Sequence, residues 1–261
     1  MAAEASAPAG SLLAKGIAAE FADSALMKIF GQQGLGLFAG TTAIEKEICR
    51  QHDVAVVGVG AMVLNLHQGM RFSLGTAHGA AAWLANALLI FQFPILHSFL
   101  LGRRGGALLA RLAPGGLGGA LSTTTFAVFA AIQIAMTFLL WSPSGVVWWE
   151  PHGTAALVSN GLYAASWIFL LKALYDAGLP LQTGSMGWTA VWRGEKPVYG
   201  SFPTGGLYRW TRQPVYLGFA LTLWTGPVWT PDRLALALLW TTYCILGPRL
   251  KERRYARRHG E

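Results

Sequence analysis

Two short polar stretches hold the residues best suited to chemistry in this chain. The first, TGGLYRWTRQPVYLGF (204–219), carries Tyr208, Arg209, Arg212, Gln213, Pro214 and Tyr216; the second, GPRLKERRYARRHGE (247–261), carries Arg249, Lys251, Glu252, Arg253 and Arg254. Cations, one carboxylate and tyrosine hydroxyls beside a glycine turn suit an amphipathic ligand with a carboxylate, an ammonium and a ring. Structural uses compete for the same residues. Pro214 is a good first residue for a helix, because its missing N–H needs no partner there. Arg209 and Arg212 can snorkel to headgroups, and the Lys-Glu-Arg-Arg run can anchor on a membrane surface.

The two stretches are separated by two apolar runs, 215–230 and 233–247, that meet at TGPVWTPD (225–232). Pro227 and Pro231 make that junction a tight reversal, so the pair is expected to be a helical hairpin. Such a hairpin returns the chain to the face it left and sets the two polar stretches side by side.

The rest of the chain has to position this hairpin in lipid. Of 261 residues, 53% are hydrophobic before 32 glycines are counted, and 12% are charged, about half the ~25% of a soluble domain. Mean hydropathy is +0.42. Soluble and disordered classes are excluded. Longer apolar runs lie at 76–101, 121–141 and 154–175, and a shorter one at 54–66. The last is too short for a ~30 Å hydrocarbon core at ~1.5 Å per residue unless it borrows neighbours. The expected fold is all-α: a polytopic helical membrane bundle of five or six spans ending in a hairpin.

The charge of +8 is located, not spread. The 102–120 connection has Arg103, Arg104 and Arg111 with no acid, and the 176–214 connection has Arg193, Lys196, Arg209 and Arg212 against Asp176 and Glu195. The tail from Arg249 is strongly basic, whereas 142–153 has Glu150 and no Lys or Arg. Alternating these segments across a bilayer puts the basic ones on one side, the cytoplasmic side by the positive-inside rule. That reading replaces a nucleic-acid partner with membrane lipids, and suggests a bacterial inner membrane with a cytoplasmic C-terminus. Trp141, Trp148, Trp149, Trp188 and Trp192 fall near span ends, as an interfacial belt would.

Residues 1–53 are the least membrane-like. SLLAKGIAAEFADSALMKIF (11–30) has the spacing of an amphipathic helix on a membrane or a protein partner, and GQQGLGLFAG (31–40) is expected to be a flexible turn. The chain therefore divides into an arm, 1–53, and a membrane domain, 54–261. Cys49 and Cys244 are too few for a disulfide framework or a cysteine metal site. His78 and His97 are nineteen residues apart, roughly 28 Å along one helix, and cannot share a haem. No metal is expected.

The Gly-Leu-Tyr-Arg, x-Arg-x-Pro-x-Tyr and Lys-Glu-Arg-Arg order resembles the isoprenylcysteine carboxyl methyltransferase superfamily, with its Arg-His-Pro-x-Tyr motif and later Glu-Glu. FQFPILHS (91–98), LSTTTFAVFAA (121–131) and LWTGPVWTPDRLALALLWTTYCILGP (223–248) are similar to the methanethiol S-methyltransferase and nurim-like branch. The resemblance covers roughly residues 80–260. It implies an S-adenosylmethionine-dependent enzyme that methylates a small thiol or lipophilic acceptor at the cytoplasmic membrane face. By position it implies a cofactor site of Tyr208, Arg212, Gln213, Pro214, Tyr216, Glu252 and Arg253, with Arg212 and Gln213 as the candidate catalytic residues. Gln213 stands where the family usually has histidine and cannot act as a base. Lys251-Glu252 replaces Glu-Glu. These departures, with the arm, motivate the alternative of a non-catalytic structural subunit in a larger membrane complex.

Overall fold

The computed structural model describes residues 43–113, 116–200 and 203–259, with side chains from 54 to 249 within those ranges. The amphipathic helix and glycine turn expected over 11–40 lie outside the described residues. The unit Gln51–Glu261 is the one considered below.

Its elements are helices throughout: α1 (Ala43–His67), α2 (Gly79–Leu100), α3 (Arg103–Leu112), α4 (Gly118–Leu140), α5 (Gly153–Asp176), α6 (Leu179–Gln182) and α7 (Ser185–Trp192), then a 3-10 turn at Gly206–Arg209, and α8 (Pro214–Thr225) and α9 (Pro231–His259). Helices α2, α4 and α5 are long and apolar enough to cross a membrane. Their exposed side chains include Trp83, Leu84, Leu88, Leu157, Ile168 and Leu171. An apolar surface of that extent is stable against lipid and not against water. The short run at 54–66 is the second part of α1, a helix of 25 residues; its apolar part, Val54–His67, stays shorter than the three long apolar helices, as expected.

The hairpin forms where expected, with altered limits. Helix α8 stops at Thr225, because Gly226 and Pro227 end it, and 226–230 is a non-helical link rather than part of a run to 230. Helix α9 does not stop at Gly247; it carries on through the Lys-Glu-Arg-Arg stretch to His259.

One end of the bundle is tightly braced. There the link 226–232 meets the 142–150 connection: Trp229 N–H donates to the Trp149 carbonyl at 2.9 Å and Trp148 N–H donates to the Trp229 carbonyl at 2.9 Å. Arg233 is fully buried, although the sequence placed it at a span's mouth. Its guanidinium donates to the carbonyls of Leu223 (2.9 Å), Val228 (2.8 Å) and Gly226, and lies over the Trp229 ring. The last carbonyls of a helix lack intrahelical partners, so Arg233 closes the C-terminus of α8 with a charge of the sign its dipole favours. Asp232 accepts from Trp141 Nε1 (3.1 Å), Ser144 N–H (2.9 Å) and the Ser144 hydroxyl. Trp141 is thus 3% exposed and not a member of the interfacial belt, whereas Trp148 and Trp149 remain exposed as expected.

Buried amides supply further braces. Asn65 donates to the carbonyls of Ala61 and Phe138 and accepts from Phe72 N–H and the Ser73 hydroxyl. Gln92 on α2 donates to the Gln133 carbonyl at 2.9 Å, and Gln133 on α4 donates to the Gln92 carbonyl at 3.1 Å. Pro94 has no N–H to offer the Ile90 carbonyl; the Trp240 indole N–H of α9 takes that acceptor at 3.0 Å. Leu66, Met62, Phe138, Leu223, Leu236 and Trp240 fill the space between these braces.

Candidate functional site

The opposite end of the bundle collects the basic segments. Helix α3, with Arg103, Arg104 and Arg111, packs on the start of α4, and α7, followed by Arg193 and Lys196, packs on it as well. The end of α5, the turn before α8 and the last part of α9 lie at this end too. The charge segregation expected from the sequence is therefore a property of the folded bundle among the described residues.

The first polar stretch is anchored by a residue that the sequence counted only as a loop charge. The Asp176 carboxylate, at the end of α5, accepts the Leu207 N–H at 2.8 Å and pairs with Lys172 one turn back. Gly206 has φ +59°, and a Cβ there would sit on that carboxylate. Glycine is needed on both counts. The clasp orients Tyr208, which is half-buried; burial and the neighbouring Asp176 charge push its phenol above the ordinary value. Arg209 and Arg212 are exposed.

Gln213 is the residue immediately before α8, and its side chain does not cap the helix. Pro214 is the buried first residue of α8, its expected structural role. Half a turn on, Tyr216 faces α9. A Cβ at Gly247 would lie 2.9 Å from Tyr216 Cε1 and 3.4 Å from its hydroxyl oxygen. The absent side chain lets the ring of α8 lie directly on the backbone of α9. This is the contact that brings the two polar stretches together, with Arg249 exposed two residues beyond Gly247. Glu252 and Arg253 lie on the same continuous helix, and their side chains are outside the described residues.

Sequence reasoning placed His97 at the cytoplasmic end of its span as a hydrogen-bonding residue, and the structure adds its neighbours. His97, on the last turn of α2, has ring centroids 4.8 Å from both Phe93 and Phe126 and 6.4 Å from Tyr243. The Ser98 hydroxyl donates to the Tyr243 hydroxyl at 3.3 Å. Tyr243 stands one helical turn before Gly247. The available signal was the pairing of Leu-His-Ser at the end of one span with Thr-Tyr-Cys near the end of another. Among the described residues, no three His, Cys, Asp or Glu side chains gather to hold a metal.

The group most relevant to test against these residues is a nucleoside with an amino-acid tail. Arg212 and Arg249 are cations of the sign a carboxylate requires, Gln213 carries an amide donor and acceptor, and Tyr216 places a ring beside Gly247. In residue type, that set is compatible with such a group.

Comparison with known proteins gives a consistent picture. The methanethiol S-methyltransferase of Pseudomonas sp. (strain GM41(2012)) is 27% identical over 175 residues, 66% of this chain and 65% of that relative. That of Pseudomonas deceptionensis is 28% identical over 181 residues, 69% and 68% of the two chains. Nurim of Xenopus laevis is 30% identical over 138 residues, 48% and 47%. The matched stretch thus spans just under two thirds of the first relative's own length. No family model matches. No solved structure matches. The relatives support the nurim-like membrane methyltransferase branch, as the stretches at 91–98, 121–131 and 223–248 implied, and with the apolar helices they make this an integral membrane protein.

Proposed function

We propose that the chain transfers a methyl group from S-adenosylmethionine to a small thiol at its basic end, facing the cytoplasm from a bacterial inner membrane. The observation that supports this reading most directly is the seating of Tyr216 against Gly247, which sets the first polar stretch beside the start of the second. The relatives named as methanethiol S-methyltransferases supply the reaction class and favour a small thiol over a larger lipophilic acceptor.

In this reading Tyr208, Arg212, Gln213, Pro214 and Tyr216 hold the cofactor from α8 and the preceding turn, while Glu252 and Arg253 approach from α9. When bound, S-adenosylmethionine supplies an electrophilic methyl on a sulfonium. The protein's share is positioning. Arg212 offers charge-assisted hydrogen bonds to a carboxylate. Pro214 and the Asp176 clasp fix the approach of Tyr208 and Tyr216. The apolar walls of α8 and α9 exclude water, and alignment of the reacting atoms in a dry site provides much of the rate. The exposed arginines favour the thiolate form of an acceptor.

The test uses the full chain purified in lipid nanodiscs. Titration with S-adenosylhomocysteine should show saturable binding, and methanethiol with S-adenosylmethionine should yield dimethyl sulfide in the headspace. Binding without turnover on any thiol would leave a methyltransferase-like scaffold, the reading suggested by Gln213 and Lys251. Absence of both would remove the enzymatic reading altogether. Reporter fusions at the C-terminus check the cytoplasmic orientation.

A further inference from the structure

Methylating a thiol at neutral pH requires that its proton go somewhere, because the thiolate and not the thiol is the nucleophile. Among the residues proposed to hold the cofactor, arginine stays protonated and glutamine does not titrate, and the Glu252 carboxylate is a weak base already assigned to the cofactor. An imidazole elsewhere in the bundle is better matched to a proton transfer at that pH.

The distribution of histidines narrows the choice. Of the four whose side chains are described, three lie at the braced end. His67 bonds Asn160 at 2.6 Å beside the α1 terminus, while His78 and His152 precede the first turns of α2 and α5. His97 alone of these four lies at the basic end. It is held between Phe93 and Phe126, with Tyr243 edge-on. Tyr243 and Gly247 are four residues apart on α9 and so share a face. Gly247 touches Tyr216. One continuous wall therefore runs from Tyr216 through Gly247 and Tyr243 to His97 and Ser98.

We infer that His97, Tyr243 and Ser98 form the thiol side of the site, with His97 taking the acceptor's proton; the inference rests on the thiol methyltransferase reading above. The thiol S–H bond breaks, its proton passes to an imidazole nitrogen of His97, and the electron pair stays on sulfur. The thiolate then forms a C–S bond to the methyl carbon as the sulfonium S–CH3 bond breaks, and that pair stays on the leaving sulfur. The products are a methyl thioether, S-adenosylhomocysteine and a His97 imidazolium, which returns its proton to water at the basic end. Phe93 and Phe126 give the acceptor an apolar lining suited to a small alkyl thiol. The Ser98–Tyr243 hydrogen bond fixes α2 against α9 at this point, so Tyr243 is a positioning residue.

The experiment measures methanethiol turnover against pH in nanodiscs and, separately, S-adenosylhomocysteine binding. His97→Gln keeps hydrogen-bonding capacity but cannot carry the proton. The expected result is cofactor binding within about twofold of wild type and kcat/KM for the thiol at least tenfold lower at pH 7. That deficit should shrink at pH 9.5, where the thiol ionises unaided. Tyr243 is the titratable group facing His97 from α9, and α4 presents the uncharged Phe126, so Tyr243→Phe is run alongside. It should raise KM for the thiol while leaving the shape of the pH profile unchanged. A His97→Gln profile superimposable on wild type would overturn the inference, as would equal losses in cofactor binding and turnover at every pH. Should that variant fail to accumulate, the wild-type profile decides. A break in kcat/KM between pH 5 and 8, where imidazole is the side chain that changes charge, supports it; a rise confined to the alkaline range overturns it. A wild-type protein that neither binds the cofactor nor methylates thiols fails differently, since it removes the underlying reading before any variant is made.

Discussion

The two ends of this bundle solve different problems with the same kinds of residue. At the braced end, polar side chains are buried and turned inward: Arg233 on three carbonyls, Asp232 on Trp141 and Ser144, Asn65 on four partners. At the basic end, Arg103, Arg104, Arg209, Arg212 and Arg249 are exposed, and the contacts include a glycine against a carboxylate and a glycine against a ring. Polar groups that close on one another inside the bundle stabilise a fold, while those at an exposed end meet water and headgroups. The difference teaches that burial against backbone carbonyls, and not residue type, decides whether an arginine in a membrane chain braces the fold.

Substitutions at each end should separate stability from binding. The largest effect on folding is expected from Arg233→Met, which leaves the terminal carbonyls of α8 buried without donors. Leaving a buried acceptor unsatisfied costs about 1–3 kcal/mol, and three lose their donor at once, so the variant should lose most of its folded population in a detergent-denaturation series. Unchanged stability would erase the distinction between the ends. Gly206→Ala should do the reverse. At φ +59° and against Asp176, the new methyl displaces the turn that carries Tyr208; affinity for S-adenosylhomocysteine should fall at least tenfold while thermal stability moves little, both read on one sample. Next comes Tyr216→Phe, which keeps the ring on Gly247 and removes the hydroxyl. A hydrogen bond of about 0.5–1.5 kcal/mol corresponds to a few-fold weaker binding by calorimetry, and no change would take the hydroxyl out of the site.

The smallest effect sharpens the braced end by its outermost contact. Glu150 accepts two bonds from Arg71 at 2.9 and 3.0 Å, and that hydrogen bond holds its carboxyl below the ordinary value near 4.5. A depressed carboxylate contributes its stability above the unfolded value and loses it as pH falls through the folded one. Wild type should therefore lose a little more stability than Glu150→Gln between about pH 5 and more acidic conditions. As an exposed pair it is worth at most about 1 kcal/mol, visible as a slight difference in acid melting curves.

Sequence patterning read the bundle well because hydropathy and loop charge report directly on lipid and water. The three long spans, the proline reversal and the shared end of the basic segments follow from that. It also set Tyr216 beside the start of the second polar stretch, since a hairpin leaves no other arrangement. The inward turn of Arg233 was not legible: an arginine beginning an apolar run has the same pattern whether it snorkels outward or folds onto carbonyls five to ten residues back. Asp176 was hidden for a related reason, because its partner Leu207 is 31 residues away. Trp141 looked interfacial by position, but its indole N–H found Asp232. Each of these depends on which carbonyl or carboxylate a donor meets, and that is a fact of packing rather than of periodicity.

The mutual amide exchange between Gln92 and Gln133 has a bearing on motion within the bundle. Each side chain reaches the main chain of the opposite helix, so neither rod can roll about its long axis without giving up two donors in hydrocarbon, where nothing replaces them. The imidazole five residues beyond Gln92 is thereby kept at a fixed bearing within the bundle. Traffic of small molecules in and out of the bundle has to be accommodated by the ends of the rods, not by their rotation.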